Sequence, residues 1–177
     1  IDVGLYYGSE DITEASSIRY MQLKHSSKHA HTPWTVSGLK KSIKGFAGRF
    51  KELEESLGLE VVKSKIRFVF LTNRPLDGKV QDALDDISEG KVKPRYTKID
   101  GYLKEYAGSA GINLQSFYSI FSVEACEPDL WEQRNLLRQD LGAYLSEPDV
   151  EALLQLKELV TRRATDEGEK DGSIRRR

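Results

Sequence analysis

Asp2, Gln22 and Lys24 are the residues whose types and spacing could do chemistry, the last two within the run Tyr20-Met21-Gln22-Leu23-Lys24-His25. Alternate residues of a strand share a face, so a Gln-x-Lys pair on a strand presents an amide and an ammonium side by side. Met21 and Leu23 are then expected to point into the core on the other face. If the polar stretch after Gly8 makes a hairpin turning near residues 12–13, Asp2 falls opposite about Leu23, flanked by Gln22 and Lys24. Asp2 and the Gln22 side-chain oxygen are hard donors of the kind that Mg²⁺ (or Mn²⁺) takes, with water completing the coordination. Such an ion polarises a phosphate and acidifies a bound water. Lys24 can orient that water and offset charge developing on the phosphoryl oxygens. The chemistry suggested is phosphodiester hydrolysis with no covalent enzyme intermediate. The alternative for Gln22 and Lys24 is a strand end running out into solvent. Glu10, Asp11 and Glu14 could replace Asp2 as ligands, although their stretch reads first as a solvated loop.

The elements that must hold these residues follow from hydrophobic periodicity. Ile1–Tyr7 and Ser17–Lys24 read as two strands of a hairpin, and residues 25–34 as a polar loop that closes with Pro33. Thr35 or Ser37 can cap a helix reaching about Leu57, with Leu39, Ile43, Phe46, Phe50, Leu53 and Leu57 on one face. Lys65–Thr72 is nearly all apolar in its second half, as a central strand would be. A helix over about Asp77–Glu89 and a basic loop at Lys91–Arg95 follow. Helices are expected at about 98–107, 128–145 and 148–164, while 114–124 fits either a strand or a short buried helix. Leu130, Leu137, Leu141, Leu153 and Leu156 stand at helical spacings and read as core or as a docking surface. The expected fold is α/β, a small mixed sheet flanked by helices with a C-terminal helical annex. Its expected organisation is a single domain over 1–165, with an α/β core over 1–95 and the annex over 96–165. A flexible tail or linker covers 166–177.

Composition narrows the class. The chain has 177 residues, enough for one domain with a real core. No run approaches the roughly 18 apolar residues of a spanning helix, so no membrane association is expected. No secretory signal is read at the start of the chain, and it opens at Ile1 inside an apolar run, so a preceding segment is expected. The single cysteine, Cys126, cannot form an internal disulfide and suits a reducing cytoplasm, where it would serve as a small buried hydrophobe. A nucleotide-binding reading finds no Gly-rich phosphate loop.

Net charge is −1, but its distribution is uneven. Residues 17–51 hold eight of the 27 lysines and arginines, three histidines and no acid, leaving 19 basic against 28 acidic residues elsewhere. An unopposed basic stripe is the footprint of polyanion binding, with a merely solvated helix face as the alternative. Lys28, Lys40, Lys41, Lys44 and Arg74 are the candidates for DNA contact. His25, His29 and His31 lack the fourth ligand and spacing of a zinc site and fit a DNA-facing loop better. Trp34 can pack the helix start or stack on a ligand, with packing favoured. Asn73-Arg74 reads as a turn, with a phosphate contact by Arg74 as the alternative.

Strand–acid, then strand–Gln-x-Lys, then a helix and a core strand resembles the PD-(D/E)XK, or restriction-endonuclease-like, nucleases. The Gln-x-Lys form looks like their Mrr-type branch. More closely, "MQLKHSS", "PWTVSGL", the helix with Phe46 and Phe50, and "FVFLTNRP" are similar to nuclease domains of bacterial antiphage effectors, over about residues 1–75. The resemblance implies a cytoplasmic, divalent-metal-dependent endonuclease acting on double-stranded DNA in antiviral defence. It also implies a regulatory sensor or ATPase module on the same chain, and it leaves self-association open. The acid that the family carries before its first core strand is expected in the segment preceding Ile1. Gln22 in place of a carboxylate removes one negative charge from the metal site. A nuclease-like fold that binds nucleic acid or a protein without cleaving is the alternative, and a helical interaction module resting on 98–164 is a third reading.

Overall fold

The computed structural model describes residues 2–26, 28–125, 135, 136 and 139. Ile1–Asp129 forms one compact unit and Leu130–Arg177 a second; the elements below belong to the first. In chain order they are β1 (Val3–Tyr7), β2 (Ser17–Lys24), α1 (Val36–Leu57), α2 (Leu59–Lys65), β3 (Ile66–Thr72), α3 (Gly78–Ser88), α4 (Thr97–Gly108), α5 (Leu114–Ser119) and β4 (Phe121–Glu124). This is a mixed α/β fold. The helices expected at 128–145 and 148–164, with their leucines, Cys126 and the tail from Thr165, lie outside the described residues.

The sheet order is β1-β2-β3-β4. β1 and β2 form the expected antiparallel hairpin, pairing Val3 with Met21 and Tyr7 with Ser17. β2 and β3 run parallel, as do β3 and β4. Parallel neighbours need a crossover, which α1–α2 and then α3–α5 supply. β3 is interior to the sheet, as its apolar second half demands. Residues 97–124, expected as the start of the annex, contribute two helices and a fourth strand to this same sheet unit. The ambiguous stretch 114–124 is both of its alternatives in turn, one short helix and then one strand. The expected α1 face is the buried one, with Leu39, Ile43, Phe46, Phe50 and Leu53 in the core.

Aromatic rings pack α1 against the sheet and against α5. Phe46 lies 5.2 Å from Phe68, and Phe50 lies 5.7 Å from Phe117. Burying such rings contributes roughly 1.5–3 kcal/mol each. The core face of β2 carries Ile18 and Tyr20, both buried. Here one expectation is corrected. Met21 and Leu23 do not enter the core; Met21 is half-buried and Leu23 is 43% exposed on the opposite side of the sheet. Alternation separates the two sets of residues, but α1 decides which set is covered, and it packs over Ile18 and Tyr20. Gln22 and Lys24 therefore continue the buried face, at the end where the strand runs out from beneath the core.

Candidate active site

The C-terminal ends of the parallel strands β2 and β3 form the candidate site. Gln22 stands opposite Phe70 and Lys24 opposite Thr72. Gln22 is half-buried and Lys24 is exposed. The β1–β2 register ends at Val3 opposite Met21, one residue short of Asp2. The link to Leu23 is made by the side chain instead, because Asp2 Oδ2 accepts the Leu23 N–H at 2.8 Å. The Asp2 N–H in turn donates to the Met21 carbonyl at 2.9 Å. The acid, the amide and the ammonium thus come to one end of the sheet.

The alternative acids are elsewhere. Glu10, Asp11 and Glu14 lie in the hairpin loop at the other end of the eight-residue β2, which at about 3.3 Å per residue puts them roughly 20 Å from Lys24. Asp11 is also occupied there. Its Oδ1 accepts from the Thr13 hydroxyl at 2.6 Å and the Thr13 N–H at 2.7 Å, bonds that hold its pKa below the usual carboxylate range. The stretch is a self-bonded loop.

Trp34 and the turn after β3 wall the site. The Trp34 ring meets Phe70 edge-on at 5.2 Å, and its Nε1–H donates to Thr72 Oγ1 at 3.0 Å. Packing, the favoured reading, describes it. Gly38 in the first turn of α1 makes room for that ring, since a Cβ there would sit 2.6 Å from Trp34 Cε3. Gly38→Ala is therefore expected to lower stability by about 1–3 kcal/mol through overpacking. Gly45, in the same helix, meets nothing within 4 Å, so Gly45→Ala should raise it by about 1 kcal/mol by removing the glycine penalty. Thermal melting of the two variants should show shifts of opposite sign.

Arg74 is largely used by the protein itself. Its Nε donates to the Thr32 carbonyl at 2.7 Å and its Nη2 to the Pro33 carbonyl at 3.3 Å, while the guanidinium lies 4.3 Å from the Trp34 ring centre. The turn reading describes it better than a phosphate contact. The basic loop at Lys91–Arg95 is similarly self-engaged. Asp86, fully buried, receives Lys91 Nζ at 2.9 Å and Arg95 Nη2 at 2.8 Å, and the Arg95 guanidinium holds its carboxyl far below the usual carboxylate range. Sequence alone missed this partner, because Asp86 follows Asp85 near the end of α3 and nothing in its type marks it as the buried one of the two.

The basic stripe divides in the same way. Arg49 pairs with Glu52 at 2.9 Å and donates to the Tyr20 hydroxyl at 3.3 Å, and Arg19 pairs with Glu124. Lys40 is exposed but lies over the Tyr106 ring, 5.1 Å from its centre. Lys24, Lys28, Lys41 and Lys44 are exposed and make no salt bridge among the described residues. Lys40, Lys41 and Lys44 sit in the first half of α1, between the levels of Trp34 and Phe46, toward the same end of the sheet as Lys24. His25, His29 and His31 are exposed in the loop that leaves β2.

The donor set suits a divalent ion of the Mg²⁺ kind. It offers the second Asp2 carboxylate oxygen and the Gln22 amide oxygen, both hard, with room for water and substrate oxygens at an exposed strand end. No group of three His, Cys, Asp or Glu side chains placed to hold a metal occurs among the described residues. No helix among the described residues is long and apolar enough to cross a membrane. Compared with known proteins, the chain matches no family model, and no curated protein matches it.

Proposed function

We propose that this chain carries a restriction-endonuclease-like domain that hydrolyses phosphodiesters of double-stranded DNA with a divalent metal ion, Mg²⁺ or Mn²⁺. The observation that carries this reading is the meeting of Asp2, Gln22 and Lys24 at one sheet end, with the Asp2 carboxylate anchored on the Leu23 amide. Asp2 and Gln22 would hold the ion, which supplies Lewis acidity and an acidified water at the phosphate. Lys24 projects from the same face as Gln22. Its ammonium would pair with the scissile phosphate and offset the negative charge that grows as the bond to the leaving oxygen breaks. Lys24 is exposed and unpaired among the described residues, so its charge is available to a substrate. Action as the effector of an antiphage defence protein, switched by a sensor or ATPase module, belongs to the same proposal.

Incubating supercoiled plasmid with the purified chain and Mg²⁺, with and without chelator, tests it. Metal-dependent linear or nicked product supports the reading. Tight DNA binding without cleavage in Mg²⁺ or Mn²⁺ would favour the nuclease-like binding module instead.

Lys41 and Lys44 offer the DNA path beside the site. Each phosphate contact releases about one counterion, so Lys41→Glu with Lys44→Glu should weaken binding strongly and flatten its salt dependence by about two units of slope. Melting should change little, since exposed charges rarely contribute more than about 1 kcal/mol. If this double variant binds DNA like wild type in a salt titration, α1 is only a solvated face and the path runs elsewhere.

A further inference from the structure

We propose that Asn73 and Arg74, in the turn after β3, are positioning residues for Lys24; this rests on the phosphodiester-hydrolysis reading above. Lys24 is the last residue of β2, and the β2–β3 pairing ends at its partner Thr72. A strand end of that kind would fray, and a lysine on a fraying end is a poorly aimed charge. Asn73 takes over where the ladder stops. Its Oδ1 accepts the Ser26 N–H at 3.0 Å and its Nδ2 donates to the Ser26 carbonyl at 3.0 Å. One side-chain amide thus satisfies both polar groups of one backbone residue, two positions beyond Lys24. The strand pairing is prolonged past the functional side chain.

Arg74 holds the far end of the same loop through its bonds to the Thr32 and Pro33 carbonyls and its stacking on Trp34. The Trp34 backbone is pinned as well, donating to the Pro75 carbonyl at 2.8 Å and accepting the Asp77 N–H at 3.1 Å. The loop that begins at Lys24 and ends at α1 is therefore closed at both ends by two adjacent residues. A turn needs none of these side-chain bonds to reverse the chain. What they add is a loop held beside Lys24 by Asn73 and at its far end by Arg74, and an ångström of misplacement can cost about a hundredfold in rate.

The test is single-turnover cleavage of duplex DNA in Mg²⁺ at saturating enzyme, with DNA affinity measured separately without metal, for wild type, Asn73→Ala and Arg74→Lys. Asn73→Ala should cleave roughly 10- to 100-fold more slowly while binding DNA within about twofold of wild type, since no phosphate contact is lost. Arg74→Lys keeps the charge but loses the planar fork that reaches two carbonyls. It should lose rate and keep affinity, and it decides the matter if Asn73→Ala does not fold. Variants that cleave at the wild-type rate overturn the positioning role alone, as does an affinity that falls in step with rate, which would mean direct contact with DNA. A wild-type chain that cleaves nothing in Mg²⁺ or Mn²⁺ overturns the hydrolysis reading, and the positioning role with it.

Discussion

Lys24→Ala abolishes metal-dependent cleavage and leaves DNA affinity within a few fold: that is the expected result of removing the ammonium that shares a strand face with Gln22 at the sheet end. The two effects separate because they draw on different numbers of contacts. Affinity for DNA is a sum over many phosphates, and one lysine is a small share of it. Transition-state charge is met locally by a few groups, and losing one such donor typically costs about 10²–10³ in rate. Lys24→Arg should recover little, because a planar fork does not place its charge where an ammonium does. Gel-based cleavage and fluorescence-anisotropy binding on the same preparation check both halves. An unchanged cleavage rate in Lys24→Ala would remove the residue from the mechanism.

Asp2→Ala should remove cleavage at every Mg²⁺ concentration, whereas Gln22→Glu should retain it and reach half-maximal activity at lower metal. On the proposed reading Asp2 would supply the charged donor of the pair; its carboxylate accepts the Leu23 N–H at 2.8 Å. Gln22 is a neutral donor, so a carboxylate at that position adds attraction for a divalent cation while keeping an oxygen in place. Calorimetric titration with Mn²⁺ provides the independent reading. Equal metal binding by wild type and Asp2→Ala would show that Asp2 is not a ligand, whatever the cleavage result.

Much of the site's frame was legible because it depends on periods. The two-residue repeat of β2 puts Gln22 and Lys24 together whichever face is buried, and the α1 stripe from Leu39 to Leu53 follows the helical period closely. The buried face of β2 was not legible, since Ile18–Tyr20 and Met21–Leu23 are equally apolar and only α1 distinguishes them. Asp2 meets Leu23 through its side chain and not through the strand register, which ends at Val3. Nor could sequence locate what Asn73 and Arg74 hold. Their partners are backbone groups of Ser26, Thr32 and Pro33, and backbone groups leave no residue signature.

Among the described residues β1 is an edge strand bonded on one side, with four of its five residues exposed. An edge strand of this kind is expected to open at a lower free energy than the interior strands. The candidate carboxylate hangs on this strand, so it can be lost to local opening while β2, β3 and the aromatic core stay folded. Heating should then silence the site before it melts the domain. A divalent ion held by Asp2 would oppose that opening by mass action, by about 2.7 kcal/mol at a hundred times its dissociation constant. Amide exchange in Val3–Tyr7 would slow as metal is added while exchange in β3 stays where it was, so the order of the edge strand and the occupancy of the site rise together.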